Sequence, residues 1–187
     1  MPTDRALVLL AREGDHDAFT TLVATSVDRL YAVARLILRD DHGAEDAVQE
    51  GLVRAWLNIR GLRDPDRFDA WTHRLVVHAC YRLAKRERRR QLVEVQSLQM
   101  DRRAGDDRQQ GLADRDQLER AFRHLTVEQR AVLAVRYVLD LPEAQAAQIL
   151  DIPIGTMKSR LSRATVALRA AVAADDRTPV LAEGRIA

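Results

Sequence analysis

Between residues 91 and 114 the regular spacing of apolar residues seen on either side of it stops. The stretch 100–111 reads MDRRAGDDRQQG, charged throughout and broken by glycine. A segment with so little to bury does not offset the entropy of ordering it. It is read as a linker, helical in part. On both sides apolar residues recur at the three- and four-residue spacing of helices, and no alternating strand pattern intervenes. The predicted fold is therefore all-α: two small helical domains joined by a linker. The expected boundaries are 3–90, a linker over 91–114, a second domain over 115–174 and a flexible tail over 175–187. Aromatic residues make up only 4% of the chain and hydrophobic ones 47%. Helices cored by Leu, Val and Ala fit that balance better than sheets do.

In the first block a helix is expected to break near Gly14. Phe19, Leu22, Val23, Leu30, Val33, Leu36 and Ile37 then form a helical apolar stripe. Asp40 and Asp41 mark a turn and a cap before a helix bearing Ala44, Val48, Leu52, Ala55 and Trp56. Gly61 and Pro65 break the loop 59–68, and a helix follows over about 69–90. In the second block Thr126, with Gln129 three residues on, matches a capping box. Pro142 suits the first turn of the next helix. LDIP, residues 150–153, is a tight turn into a last helix over about 153–174. Asp151 stands where that turn wants a left-handed residue, a conformation Asp tolerates better than most. Four short helices, the last two tightly joined, make a helix-turn-helix domain.

Formal net charge is only +2 although the pI is about 9.0, so the placement of charge matters more than its sum. From Asp40 to Glu50 there are five acidic residues and no Lys or Arg. From Arg82 to Arg90, six basic residues oppose Glu87 alone. The basic run ends a helix that also carries Trp71, Arg74, His78 and Tyr81. Guanidinium and ammonium groups hold phosphates and aromatic rings stack on unpaired bases, although Trp71 and Tyr81 are equally eligible for the core. In the last helix Thr156, Ser159, Arg160 and Arg163 lie at i, i+3, i+4 and i+7 and share one face, with Lys158 beside it. Such residues fit DNA backbone and base edges. A basic helix also fits a membrane surface or a protein partner.

Other chemistries find little footing. Cys80 is the only cysteine, which precludes an internal disulfide and fits a reducing cytosol. With His73 and His78 nearby it is better read as packing than as a metal ligand. There is no Gly-rich phosphate loop, no HExxH and no G-x-S-x-G, so neither enzyme activity nor a cofactor is expected. No apolar run reaches the length of a membrane span, and a cytoplasmic location is the default.

Three segments in order carry a resemblance. They are GAEDAVQEGLVRAW (43–56), FDAWTHRLVVHACYRLAKRERRR (68–90) and LTVEQRAVLAVRYVLDLPEAQAAQILDIPIGTMKSRLSRATVALR (125–169). Together they resemble the extracytoplasmic-function (ECF) group of bacterial sigma-70-type sigma factors. The resemblance implies a protein that binds core RNA polymerase and directs promoter-specific transcription initiation. Glu45, Asp46, Gln49, Glu50 and Trp56 would dock on the clamp coiled coil of the polymerase, and the second domain near its flap. Asp66, Phe68, Trp71, Arg74, His78, Arg82, Arg86 and Arg89 would engage the −10 element, with the loop around 64–68 offering a pocket to a flipped base. Arg130, Thr156, Lys158, Ser159, Arg160 and Arg163 would bind the −35 element. An anti-sigma factor is implied as a further partner. The chain departs from the family pattern at several positions: Gly43 and Gly51, His78 for a frequent Asn, Arg82 for a frequent Asp, and Pro142, Gln145 and Ala146 in the brace helix. Gly51 is expected to weaken its helix by about 1 kcal/mol relative to Ala. Ala146 is expected to loosen the packing of the brace helix.

Overall fold

A computed structural model describes residues 4–97 and 113–175, all of whose regular structure is helical. Most of the expected linker and the tail lie outside the described residues. The N-terminal domain holds α1 (Asp4–Glu13), α2 (His16–Ala24), α3 (Val27–Leu38), α4 (Asp41–Asn58) and α5 (Phe68–Ser97). The C-terminal domain holds α6 (Ala113–Arg123), α7 (Val127–Leu133), α8 (Glu143–Leu150) and α9 (Ile154–Asp175).

Local chemistry places the boundaries. Gly14, at φ 105°, turns α1 into α2, and the Asp15 carboxylate caps α2 by accepting from the backbone N–H groups of Asp17 and Ala18. Asp40 caps α4 through the Gly43 N–H at 2.9 Å. The Thr126–Gln129 capping box forms in both directions, at 3.3 and 2.9 Å. Asp151 ends α8 in the left-handed conformation (φ 57°, ψ 45°), as its place in the turn required. Pro142 stands one position earlier than expected: it is the N-cap of α8, and Glu143 is the first helical residue. Sequence periodicity gave no warning that α7 continues into a π-turn over Ala134–Val138.

The inward face of α4 is Ala44, Ala47, Val48, Gly51 and Ala55, a row of mostly small side chains. They let α5 approach closely, and Gly51 is the tightest point of the crossing. A Cβ there would lie 2.5 Å from Val76 Cγ2 and 3.0 Å from its Cα. The expectation that Gly51 is a weak point is therefore corrected, because close backbone packing outweighs helix propensity at this position. Ala146 is likewise fully buried.

One buried apolar cluster runs from Leu30, Val33 and Ile37 of α3 through Val76 and Cys80 of α5 to Val132, Ile149, Leu150 and Met157 of the C-terminal domain. The two domains thus share a core. A second cluster, built from Leu7, Val8, Leu22, Ile59 and Phe68, closes the far end of the N-terminal domain.

Candidate nucleic-acid and polymerase surfaces

The small residues that bury one face of α4 leave its other face outward. Glu45, Asp46 and Gln49 are exposed there, and Val53 and Leu57 follow at helical spacing, 51% and 72% exposed. Val53 and Leu57 were missed in the sequence. Their signal was that they fall off the packing register of Ala44, Ala47, Gly51 and Ala55. Glu50 is turned sideways instead. Its Oε1 lies 3.0 Å from both Arg54 Nη2 and Arg82 Nη2, which ties α4 to α5. Trp56 is half-buried, with His16 stacked on it at 4.0 Å and the Phe19 ring edge-on at 5.2 Å.

The basic stretch on α5 divides into two environments. Arg86 and Arg89 are exposed, as are Lys85, Arg88 and Arg90. Further up, the helix enters the seam between the domains. Arg74 Nη2 sits 2.9 Å from Asp151 Oδ2. His78 is half-buried, and burial followed by the nearby Arg74 and Arg82 charges pushes its pKa down, while Asp151 acts in the other direction. Burial drives the Tyr81 phenol up to about 12, although the Arg160 charge opposes this. Trp71 is half-buried against the second cluster, its ring 6.3 Å from that of Phe68. Phe68 itself is only 4% exposed. Asp66 remains at the surface, paired with Arg5 of α1 at 2.8 Å. The 64–68 loop is held further by the Asp64 carboxylate, which accepts from the Asp66 N–H.

On α9, Lys158, Ser159 and Arg163 are exposed, and Thr156 and Arg160 are half-buried. The Ser159 hydroxyl donates to the Thr156 carbonyl and Arg163 Nε to the Ser159 carbonyl, so both side chains lie along their own helix. Met157, Leu161 and Ala164 hold the opposite face in the core. Arg130 does not project with this group. Its Nε donates to the Ile37 carbonyl at 2.7 Å, across the seam, and its Nη1 to the Leu125 carbonyl at 3.1 Å.

Cys80 is fully buried, and its thiol is pushed up to about 12 by that burial, consistent with a packing role. Among the described residues no group of three or more His, Cys, Asp or Glu could hold a metal ion. No described helix is long and apolar enough to cross a membrane.

Two family models match, "Sigma-70 region 2" over residues 22–90 and "Sigma-70, region 4" over 115–168. The chain is 25% identical over 169 residues to the ECF RNA polymerase sigma factor SigW of Bacillus subtilis, covering 84% of this chain and 90% of that one. It is 31% identical over 151 residues to the RNA polymerase sigma-E factor of Streptomyces avermitilis, covering 81% and 83%. Among solved structures it is similar to CnrH in complex with the cytosolic domain of CnrY. That match has a TM-score of 0.66 at 26% identity and covers 93% of this chain and 99% of that one. It is also similar to the sigma factor RpoE in complex with the anti-sigma factor NepR from Bartonella quintana. There the TM-score is 0.67 at 25% identity, covering 84% and 98%.

Proposed function

Because the chain belongs to the ECF group of bacterial sigma factors, we propose that it binds core RNA polymerase through α4 and directs initiation at promoters read by α5 and α9. Sigma factors are not enzymes, so the work lies in binding and in opening DNA. The observation that carries the reading is the outward face of α4. Acidic Glu45 and Asp46 lead into exposed Val53 and Leu57 on a helix whose other side is locked against α5. An acidic face repels DNA phosphate, and apolar side chains beside it favour a protein partner. The exposed Arg86 and Arg89 and the neighbouring Lys85, Arg88 and Arg90 supply the opposite charge along α5 for the −10 strand. Lys158, Ser159, Arg160 and Arg163 on the second helix of a helix-turn-helix supply the −35 contacts. Asp66, beside the buried Phe68, marks the rim where a flipped base would be received. The similar chain CnrH is in complex with the cytosolic domain of CnrY, and the similar chain RpoE with the anti-sigma factor NepR. An anti-sigma partner is proposed for this chain on that ground.

The test is transcription from a promoter library with purified core polymerase and this protein. Defined start sites that depend on the protein are the expected result. Absence of both core binding and specific starts sinks the reading. Duplex binding without any start would make the chain a DNA-binding regulator that never joins the polymerase.

A further inference from the structure

We infer that Arg39, Arg123 and Arg130, gathered where α3 ends beside α6 and α7, form a binding site for a doubly charged phosphate group, carried by a free anion such as pyrophosphate or by the end of a nucleotide. None of the residues of α4, α5 or α9 that the promoter reading uses belongs to this site. Helix α3 ends on Arg39, in the left-handed conformation at φ 59°, its N–H bonded to the Arg35 carbonyl at 2.7 Å. One turn earlier Arg35 is fully paired, with Glu119 of α6 at 3.2 Å and Asp41 at 2.7 Å. Four residues on from Arg35 and from Glu119 stand Arg39 and Arg123, so the turn that follows the ion pair sets two cations near each other. Arg130 arrives from α7, its Nε donating to the Ile37 carbonyl at 2.7 Å and its Nη1 to the Leu125 carbonyl at 3.1 Å.

Nothing on the chain balances these charges. Among the described residues no carboxylate forms an ion pair with Arg39, Arg123 or Arg130, and the side chains of Arg39 and Arg123 donate no hydrogen bond. Asp40, next to Arg39 in the chain, accepts from the Gly43 N–H. Arg39 and Arg130 are nevertheless half-buried. Burial, then the Arg123 charge, pushes the Arg39 pKa down, with Glu119 opposing; burial, then the Arg39 charge, does the same to Arg130, with Glu128 opposing. The carbonyls at the end of α3 account for Arg130 in part, but not for Arg39 or Arg123. Cations drawn together and partly out of water are costly unless an anion joins them. A guanidinium offers two parallel N–H groups to two oxygens of a phosphate. A terminal phosphate carries close to two charges near neutral pH and so offsets more of the cluster than a phosphodiester, which carries one.

The test is calorimetric titration of the full-length chain with pyrophosphate and with ADP, at constant ionic strength and without divalent metal. The parent should bind pyrophosphate saturably. Arg39→Asn, which keeps a residue tolerant of the left-handed turn, and Arg123→Gln should each weaken that binding roughly tenfold or more. The control, Arg29→Gln with Arg63→Gln, removes charge from exposed positions and should change it less than about twofold. Arg123→Glu sets a carboxylate near Arg39. It should raise the thermal midpoint of the free chain and abolish the further rise that pyrophosphate gives the parent. A variant that is more stable yet does not bind separates the site from folding. ADP bound with the same dependence on Arg39 and Arg123 makes a nucleotide the ligand, and pyrophosphate bound alone makes it a free anion. No saturable binding by the parent overturns the site, as does an equal loss in the control, which would mark general screening of a basic surface. Binding of an oligonucleotide without terminal phosphates, but not of pyrophosphate or ADP, also overturns it. The titrations with pyrophosphate and ADP contain neither promoter nor polymerase, so their failure is distinct from failure of the transcription assay.

Discussion

A single hydrogen atom at Gly51 sets how closely α4 and α5 cross. Replacing Gly51 by Ala gains about 1 kcal/mol of helix propensity but presses a methyl group into Val76. Overpacking of that kind costs about 1–3 kcal/mol, and here part of the obstruction is backbone, which yields less readily than a side chain. Gly51→Ala should therefore lower the stability of the chain by about 1–2 kcal/mol in urea unfolding, with the gap falling out of the midpoint at constant slope. Gly155→Ala, where a Cβ meets nothing within 4 Å, should change stability in the opposite direction. A glycine inside a helix was legible as a departure from pattern, but its sign was not. Propensity is local, whereas the contact that overrides it lies on another helix. His73 carries a second residue-scale prediction. It is 7% exposed, its Nδ1 sits 2.6 Å from the Asp69 carbonyl, and burial holds its pKa below the ordinary 6.5. The unfolded chain then takes up this proton first as pH falls. Stability is full above about pH 6.5 and is lost as pH drops below that value toward the depressed folded pKa. Urea midpoints at pH 7.5 and 5.5 should show the loss, and His73→Asn should shrink the difference between them.

At the scale of elements, start and stop chemistry was readable wherever it is encoded within four residues. Thr126 with Gln129, the Asp40 cap and the left-handed Asp151 were each visible because a side chain and its own backbone settle them. The π-turn over Ala134–Val138 was not visible, since no residue type marks where a helix takes in an extra residue. Tertiary packing chooses that point. The length of α5, which runs to Ser97, was also underestimated, because residues 85–91, KRERRRQ, interrupt the apolar spacing before the helix ends. For α4 the same limit hid half of its outward face: the acidic residues stood out, while Val53 and Leu57 merged into the helix pattern. The division of labour can be tested on this element. Glu45→Lys with Asp46→Lys should weaken core-polymerase binding by about tenfold or more, roughly 1.4 kcal/mol, because both positions face outward and carry no structural contact of weight. Duplex binding by the same full-length variant should not fall. An equal loss in titrations against polymerase and against DNA would show that α4 does not separate the two tasks. Glu50 behaves differently because Arg54 and Arg82 hold it, so its replacement should disturb the α4–α5 joint before it disturbs a partner.

For the molecule as a whole, the two helical blocks were evident from the lapse in apolar spacing, yet nothing in that pattern said that the blocks share a core. Residues such as Ile37 and Val132 satisfy the same three-and-four spacing whether they face their own domain or the other. The joining contacts of Arg130, Arg74 and Arg35 come from polar positions that sequence reasoning assigned to DNA or left unassigned. A shared core has a thermodynamic signature. Ile149 of α8 is 2% exposed and belongs to the same cluster as Leu30, Val33 and Ile37 of α3. Truncating it to Ala should cost about 2–5 kcal/mol through lost burial and the cavity left behind. If the C-terminal domain alone bears that cost, amides of α3 keep their exchange protection, since opening of one unit leaves the other covered. If the cluster opens as one body, uncovering α8 also uncovers the C-terminal half of α3, and residues 33–38 exchange faster by a factor that matches the loss of stability. The second outcome is the expected one, read by hydrogen exchange on the free chain with Ile149→Ala against the parent.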